Sequence, residues 1–497
     1  KTYLQCLQIN VQRSKLATSQ LCEAISRLAV DVVLIQEPFT VNNKVAGFPN
    51  YYRIYSREHR KRAAILLTNN EVMALLMQQF SDEDFVCIEI NFKNTTFKLV
   101  SAYFSIDNSL ETDLLKIKRI IKANNLVLSV DTNSRSISWF DRVTNRSGKI
   151  LEDYLAARNL FFSNNNVDIP TFETSGKSSI DLTLVTNGML SYVKDWKIDP
   201  QEISLSDHNY ITYKISLART QHSQNNQTFI YNINKANWGK FAILLKTKLV
   251  KYDANFIAEE LEEIIKKSAN CSIPKKNNTR SSGDSKNSVC WWSEELSKLR
   301  HIVRKKRRLY QRTKEEEIRN IRKKEYNTIK NLYQDKIKEE KLNSWKSYFS
   351  QVNSTNPGST AYIMVSGKLK PAMTVSTIKK GDGTFTADLE ETLNVIVENM
   401  LPQDDTSQDE EVHRKLREEV KLLPNREEVR HTIATFNYKK ASGEDGLNTL
   451  ILLKAFDLLP LSLTELYNRC LGDGIFPRIW KLSKVILTNK VGKENIC

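Results

Sequence analysis

No apolar run in this 497-residue chain approaches the ~20 residues that a membrane-crossing helix needs. Cysteine is sparse: Cys6, Cys22, Cys87, Cys271, Cys290, Cys470 and Cys497 are scattered, odd in number and never spaced as C-x-x-C. That argues against a disulfide scaffold or a zinc ribbon and fits a reducing intracellular compartment. The first residues, Lys1-Thr2-Tyr3-Leu4, include neither an initiator Met nor a signal-peptide core, so a fragment is expected at this end. Glycine and proline are absent from Asp284 to Asn356. What is present, 40% apolar and 27% charged residues, describes a globular chain with real cores and excludes collagen or wholesale disorder. The length suggests about three domains.

The net charge of +16 is unevenly spread. Residues 1–217 hold 25 Lys and Arg against 23 Asp and Glu, a net of +2, whereas 298–346 hold 18 against 7, a net of +11. So basic a segment meets nucleic acid most naturally, because phosphate contacts release counterions. Its run Arg304-Lys305-Lys306-Arg307-Arg308 is the candidate contact and also resembles a nuclear localisation signal. A membrane surface is a poor partner, since no strong apolar face opposes these charges.

The first 217 residues alternate short apolar runs with amphipathic stretches. Strands are predicted at Tyr3–Ile9, Val30–Ile35, Ala63–Thr68, Phe85–Asn91, Phe97–Tyr103, Leu126–Val130, Ile180–Val185 and Tyr210–Ile215. Helices are predicted at Ser19–Leu28, Leu110–Ala123 and Ile150–Arg158, giving a layered α/β domain. Beyond it, 218–290 reads as a polar linker with a short helical segment, and 291–350 as one long basic helix or a helical pair. Residues 351–426 read as a linker carrying the acidic patch Asp404, Asp405, Asp409, Glu410 and Glu411, and 427–497 as helix and Gly/Pro turns.

Polar residues stand where the predicted strands stop: Asn10, Gln36-Glu37, Tyr103, Asp131-Thr132-Asn133, Asp181 and Ser206-Asp207-His208. Loops at strand ends bring chemistry from several strands together. Mg²⁺ takes one or two protein carboxylates plus substrate phosphate, a role that suits Glu37 helped by Asn10 and Asp207. Asp131 with Asn133 could orient and deprotonate water, and His208 held by Asp181 could donate to a phosphate that Tyr103 steadies. Each residue alone has a plainer reading: a D-x-N is usually a turn, an Asp-His pair usually structural, and Tyr103 a half-buried strand residue. Together they are far more specific. Which of Asp131 and His208 is the base stays open.

In that order these residues resemble the exonuclease–endonuclease–phosphatase superfamily. The details are closest to the apurinic-type endonuclease of non-LTR retrotransposons, especially the site-specific insect ribosomal-DNA group. Trp139, Asn145-Arg146-Ser147-Gly148 with Leu151, and Pro170-Thr171-Phe172 before Ser178-Ser179-Ile180-Asp181 all fit it. Val130 stands where that family often has Gly, and Phe104 where Pro is common. The resemblance implies a four-layered α/β sandwich over 1–217 and Mg²⁺-dependent nicking of double-stranded DNA (Mn²⁺ substituting) that leaves a 3′-hydroxyl primer. It implies Asn10, Glu37 and Asp207 at the metal, and Asp131, Asn133, Tyr103, Asp181 and His208 in catalysis.

Trp291-Trp292-x-x-Glu295-Leu296 and the basic helix resemble the connector of such polyproteins. Lys440-Ala441-Ser442-Gly443-Glu444-Asp445-Gly446 and Phe476-Pro477-x-x-Trp480-Lys481 resemble the opening of their reverse transcriptase, a mainly helical fingers fragment here. No aromatic-Ala-Asp-Asp motif occurs, so a polymerase cut short before its catalytic palm is expected. The resemblance implies a nuclear place of work, with the element's RNA as a second partner through the connector. Two other readings compete: a decayed remnant that only binds nucleic acid, and a phosphatase or sphingomyelinase-like hydrolase, for which a basic connector has no use.

Overall fold

The computed structural model describes residues 1–481 apart from 58–60, 108, 122–124, 166–168, 174–176, 200–201, 218–229, 250–256, 277–288, 356–371, 402–406, 408–409, 412–413, 415–422, 438–441 and 444. The described residues form two compact units, one drawn from 1–223 and 285–400, the other from 224–284 and 401–488.

The first unit carries strands β1 (Tyr3–Asn10), β2 (Val32–Gln36), β3 (Arg53–Tyr55), β4 (Ala63–Leu67), β5 (Met73–Leu76), β6 (Phe85–Phe92) and β7 (Thr95–Tyr103). Then come β8 (Leu126–Asp131), β9 (Leu160–Phe162), β10 (Asp181–Thr186), β11 (Val193–Ile198), β12 (Ile211–Ser216) and, far downstream, β13 (Val375–Ser376). One sheet has the order β11-β12-β1-β2-β4-β3 and the other β9-β10-β8-β7-β6-β5-β13. Helix α1 (Lys15–Arg27) covers the first sheet, and α2 (Leu110–Ile120) with α3 (Arg146–Ala157) covers the second.

The layering follows from strands that are apolar on both faces. In β2, Val32 and Leu34 join the cluster between the sheets, while Val33 and Ile35 join the one under α1. In β8, Val127 faces the other sheet, and Leu128 and Val130 meet α2 and α3. Helix, sheet, sheet, helix is therefore the four-layered order expected. All eight predicted strands are present within two residues of their predicted ends. The additional β3, β5 and β9 are too short for a periodic signal, and β11 gives none because half of its residues are charged and exposed. Helix α1 begins four residues before the predicted Ser19, where the Ser14 hydroxyl accepts from the Ala17 amide at 3.1 Å.

The basic segment is a helical pair, α6 (Glu294–Arg312) and α7 (Glu316–Thr355), and it belongs to this unit. Leu296, Val303, Tyr333 and Ile337 share one buried cluster with Ala17, Leu21, Ala24 and Ile25 of α1. Polar contacts flank it: Tyr333 donates to Gln20 at 2.7 Å, Lys341 to the Ser19 hydroxyl at 2.6 Å, and Arg300 to Glu23 at 2.5 Å. The region beyond is not only a linker, since Val375 and Ser376 pair in parallel with Leu75 and Leu76 and extend the second sheet.

The second unit also departs from the expected linker. Helices α4 (Trp238–Leu249) and α5 (Ala258–Ser272) share an apolar core with α9 (Arg426–Thr435), α10 (Thr449–Leu458) and α11 (Pro460–Gly472), α8 (Leu389–Met400) being part of the first unit. Phe241, Leu245, Leu261 and Ile265 recur at helical spacing, a signal diluted by the polar residues around them. Lys440, Ala441, Glu444, Asp404, Asp405, Asp409 and the stretch after Lys481 lie outside the described residues.

If the connector is part of the domain, Tyr333→Ala should destabilise the first unit by roughly 3 kcal/mol, the cost of emptying a buried aromatic site. Urea unfolding of the full chain should show the lower midpoint; an unchanged midpoint would make the connector a mere tether.

Candidate active site

Strand register assembles the site. Tyr103, Asp131 and Asp181 are direct neighbours across β7, β8 and β10, and Asn10 lies beside Gln36 across β1 and β2. Both rows sit at the carboxyl ends of parallel strand pairs. His208 arrives from the loop before β12, the strand next to β1, and bridges to Phe172. The Asn10 amide joins the two sheets, donating to Asp131 at 2.8 Å and to Glu37 at 3.2 Å.

Buried His208 lies between two carboxylates. Its Nδ1 is 2.9 Å from Asp181, and its Nε2 is 3.7 Å from Asp131. Burial pulls its pKa down, but the charge and hydrogen bond of Asp181, then Asp131, outweigh that and raise it to about 9. The two carboxylates thus favour the imidazolium form of the ring. Burial and the nearby Asp181 push the Asp131 carboxyl up to about 7, against the pull of His208, Asn10 and the Asn133 amide. Burial, then the charges of Glu37 and Asp131, also raise Tyr103, which stays a neutral hydroxyl donor.

The loops holding these groups are bent sharply. Gln12, Arg13, Glu37 and Asn133 have φ of 51°, 54°, 44° and 49°, a left-handed backbone that costs energy outside glycine and asparagine. Cross-loop bonds hold it: Arg13 N–H donates to the Glu37 carbonyl and Glu37 N–H to the Arg62 carbonyl, both at 2.8 Å. The Asn133 side chain donates to the Phe104 carbonyl at 2.8 Å. Asn145 caps α3 by accepting from Gly148 N–H at 2.7 Å and from Arg135 N–H at 3.1 Å. A Cβ on Gly148 would fall 1.8 Å from the Arg135 carbonyl, so only glycine lets helix and loop meet.

Several residues support the site, two of them, Thr171 and Phe172, from the Pro-Thr-Phe run that marks the resemblance and the third, Gln12, without any signal in a linear reading. Thr171 accepts from the Ile180 and Asp181 amides at 3.0 and 3.1 Å, and Phe172 packs edge-on to the His208 ring at 4.8 Å. Gln12 donates to Asp207 at 3.3 Å and accepts from the Asp207 amide at 3.0 Å. Gln8 and Gln36 were detectable in principle, as polar residues on strand faces otherwise apolar.

The donor set fits a divalent cation in one place better than another. Asp131, Asp181 and His208 present ligand atoms within 4.8 Å of one another. Both imidazole nitrogens, however, face carboxylates, Nδ1 toward Asp181 at 2.9 Å and Nε2 toward Asp131 at 3.7 Å. Glu37, 22% exposed at its side chain, and the Asn10 carbonyl offer the oxygen ligands that a hydrated Mg²⁺ prefers. The Asp207 carboxylate accepts from the Gln12 side chain at 3.3 Å.

The Arg304–Arg308 run is placed differently from a free nucleic-acid contact. Arg307 is buried, bonded to the Glu202 carbonyl, Glu173 and Asn209, and Arg304 pairs with Glu202 at 2.8 Å. Lys306 pairs with Glu325, the Arg308 Nε is buried, and Lys305 is exposed. The run docks α6 onto the domain, because helical periodicity turns two of its five cations inward.

A family model described as endonuclease-reverse transcriptase matches residues 97–212, the stretch from β7 to β12 that holds Tyr103, Asp131, Asn133, Asp181 and His208. The chain is 24% identical over 484 residues to the retrovirus-related Pol polyprotein from type-1 retrotransposable element R1 of Bradysia coprophila, covering 91% of this chain and 47% of that protein. It is 23% identical over 516 residues to a putative 115 kDa protein in type-1 retrotransposable element R1DM of Drosophila melanogaster, covering 99% of this chain and 49% of that protein. It thus spans about half the length of these curated relatives. Among solved structures, the endonuclease domain of TRAS1, a telomere-specific non-LTR retrotransposon, is 30% identical, with 44% of this chain and 100% of that domain covered and a TM-score of 0.40. The matched residues define an endonuclease-type α/β domain. The chain belongs to the endonuclease-bearing polyproteins of non-LTR retrotransposons.

The ion triad has a pH signature. A His pKa raised from 6.5 to about 9 by folding adds stability that is complete below about 6.5 and is lost as pH rises through about 9. Carbon-13 histidine NMR should show one imidazole titrating near 9, moved down by Asp181→Asn. A His208 midpoint near 6.5 would dissolve the triad.

Proposed function

We propose that the first unit is a Mg²⁺-dependent DNA endonuclease that nicks one strand of a duplex and leaves a 3′-hydroxyl. The single observation that carries this is the Asn10 amide, which donates to both Glu37 and Asp131 and so ties an accessible carboxylate to a buried one across the two sheets. The order of these residues and the endonuclease-reverse transcriptase family model over residues 97–212 support the same reading. Glu37 and the Asn10 carbonyl would hold the cation, which when bound neutralises charge on the phosphate.

Asp131, oriented by Asn10 and the Asn133 amide, takes the proton of the attacking water. His208 presents its Nε2 proton to the phosphoryl oxygen, and Asp181 keeps the ring oriented and charged through Nδ1. Asp131 is the base in this reading because Asp181 engages His208 Nδ1 at 2.9 Å and favours the protonated ring, which leaves Nε2 as a donor. Tyr103 donates its hydroxyl to a second phosphate oxygen. A preformed ion triad costs little reorganisation during the reaction.

Full-length protein with supercoiled plasmid should yield open circles with Mg²⁺ and none with EDTA. Asp131→Asn and His208→Ala should each slow nicking by about a hundred- to ten-thousand-fold. A folded wild-type protein that leaves plasmid intact with Mg²⁺ and Mn²⁺ alike would instead establish the remnant that only binds nucleic acid.

A further inference from the structure

A cavity of about 220 Å³ lies between the connector pair and the loop leading to His208. Ser204, Ser206 and Asp207 line one side, and Tyr310, Arg319, Lys323, Tyr326 and Lys330 line the other, with Glu173, Lys177 and Arg307 also in the wall. At about 30 Å³ per water molecule it has room for a phosphodiester group.

Its charge is unbalanced. Glu173 pairs with Arg307 at 3.0 Å and accepts from Gln311, so that pair cancels. Four cations, Lys177, Arg319, Lys323 and Lys330, then face one acid, Asp207. Among the described residues none of the four has an acidic partner within 4 Å. The Arg319 guanidinium lies 5.3 Å over the Tyr310 ring, which stacks on Tyr326 at 6.2 Å and 9°. Stacking holds that cation in place before any anion arrives.

The cavity also adjoins the site. Asp207 lines it, is held by Gln12 beside Asn10, and is followed directly by His208. Phosphates recur about every 3.4 Å of axis along a DNA strand, so a strand at His208 has further phosphates within reach of the cavity.

We propose that this cavity seats a backbone phosphate of the duplex flanking the scissile bond, which makes the connector part of the DNA-binding surface. The choice of DNA as occupant rests on the nuclease reading of the adjoining site. Lys177 reaches it from the sandwich; Arg319 and Lys323 reach it from α7. The connector cations that meet DNA are therefore these, and not the Arg304–Arg308 run.

The test is the salt dependence of binding by the full-length protein in EDTA, read by fluorescence anisotropy of a short labelled duplex. Arg319→Ala/Lys323→Ala should lower the slope of log affinity against log salt by about 1, the share of the one phosphate they hold together, with a roughly tenfold loss of affinity at moderate salt. Lys177→Ala, from the opposite wall, should lower the same slope by up to about 1, and Lys298→Ala, elsewhere on α6, should not. An unchanged slope in the double variant, or a wild-type protein that binds no duplex, would overturn the proposal. So would a loss confined to a hairpin RNA, which would make the cavity an RNA site. Plasmid nicking with Mg²⁺ run alongside separates the two readings: altered slopes without nicking leave the cavity standing and the nuclease fallen, and nicking with unaltered slopes does the reverse.

Discussion

Two buried glutamines fix how the sheets meet at the end where the chemistry lies. Gln8 donates to the Val130 and Leu182 carbonyls at 3.4 and 3.3 Å and accepts from Thr183 at 3.0 Å. Gln36 donates to Ser101 and to the Ser129 carbonyl at 3.0 and 3.2 Å, and Ser101 donates to the Ile35 carbonyl. Apolar contacts between sheets are non-directional and tolerate sliding. A buried amide does not, since moving it leaves polar groups unpaired at a cost of about 1–3 kcal/mol each. Asn10 stands two residues past Gln8 on the same strand face, and Glu37 directly follows Gln36. The reach from Asn10 to Asp131 is set by that fastening.

Along each inner strand face the composition changes steadily toward the site. Leu4 and Cys6 give way to Gln8 and Asn10, Val127 to Ser129 and Asp131, Leu99 to Ser101 and Tyr103, and Val185 to Thr183 and Asp181. The interior is thus dry at one end and polar at the other. In the polar end an imidazolium between two carboxylates is stable, because its charges are paired and its ring is packed by Phe172. The left-handed backbone at Glu37 belongs to the same design: it ends β2 with the carboxylate accepting from the Asn10 amide, where a continued strand would turn residue 37 to the face opposite Gln36.

The connector changes what counts as the domain. Its helices bury apolar residues against α1, and its arginines pair with Glu23, Glu173 and Glu202, the first and last of which are shared with Arg27 of α1. A segment that is basic in sequence is in part internally neutralised. Among the connector cations without an acidic partner in the described residues, Arg319, Lys323 and Lys330 line the cavity beside the loop leading to His208.

What the sequence determined by itself was the layered α/β class, the strands and the set of polar residues at their ends, because period-two burial and strand-terminal carboxylates are local signals. Glu37, Asp131, Asp181 and His208 were legible for that reason, with Asn10 legible only in their company. Tertiary structure alone decided which of them touch, that His208 lies between two carboxylates, and that Asp207 accepts from Gln12, since strand order and sheet offset join residues up to about two hundred positions apart. It also decided the fate of the basic segment. Charge counting sees eighteen cations between 298 and 346; which of them are paired with acids of the sandwich and which remain free depends on the helix face and on the partner it packs against, and neither is written in any local stretch of chain.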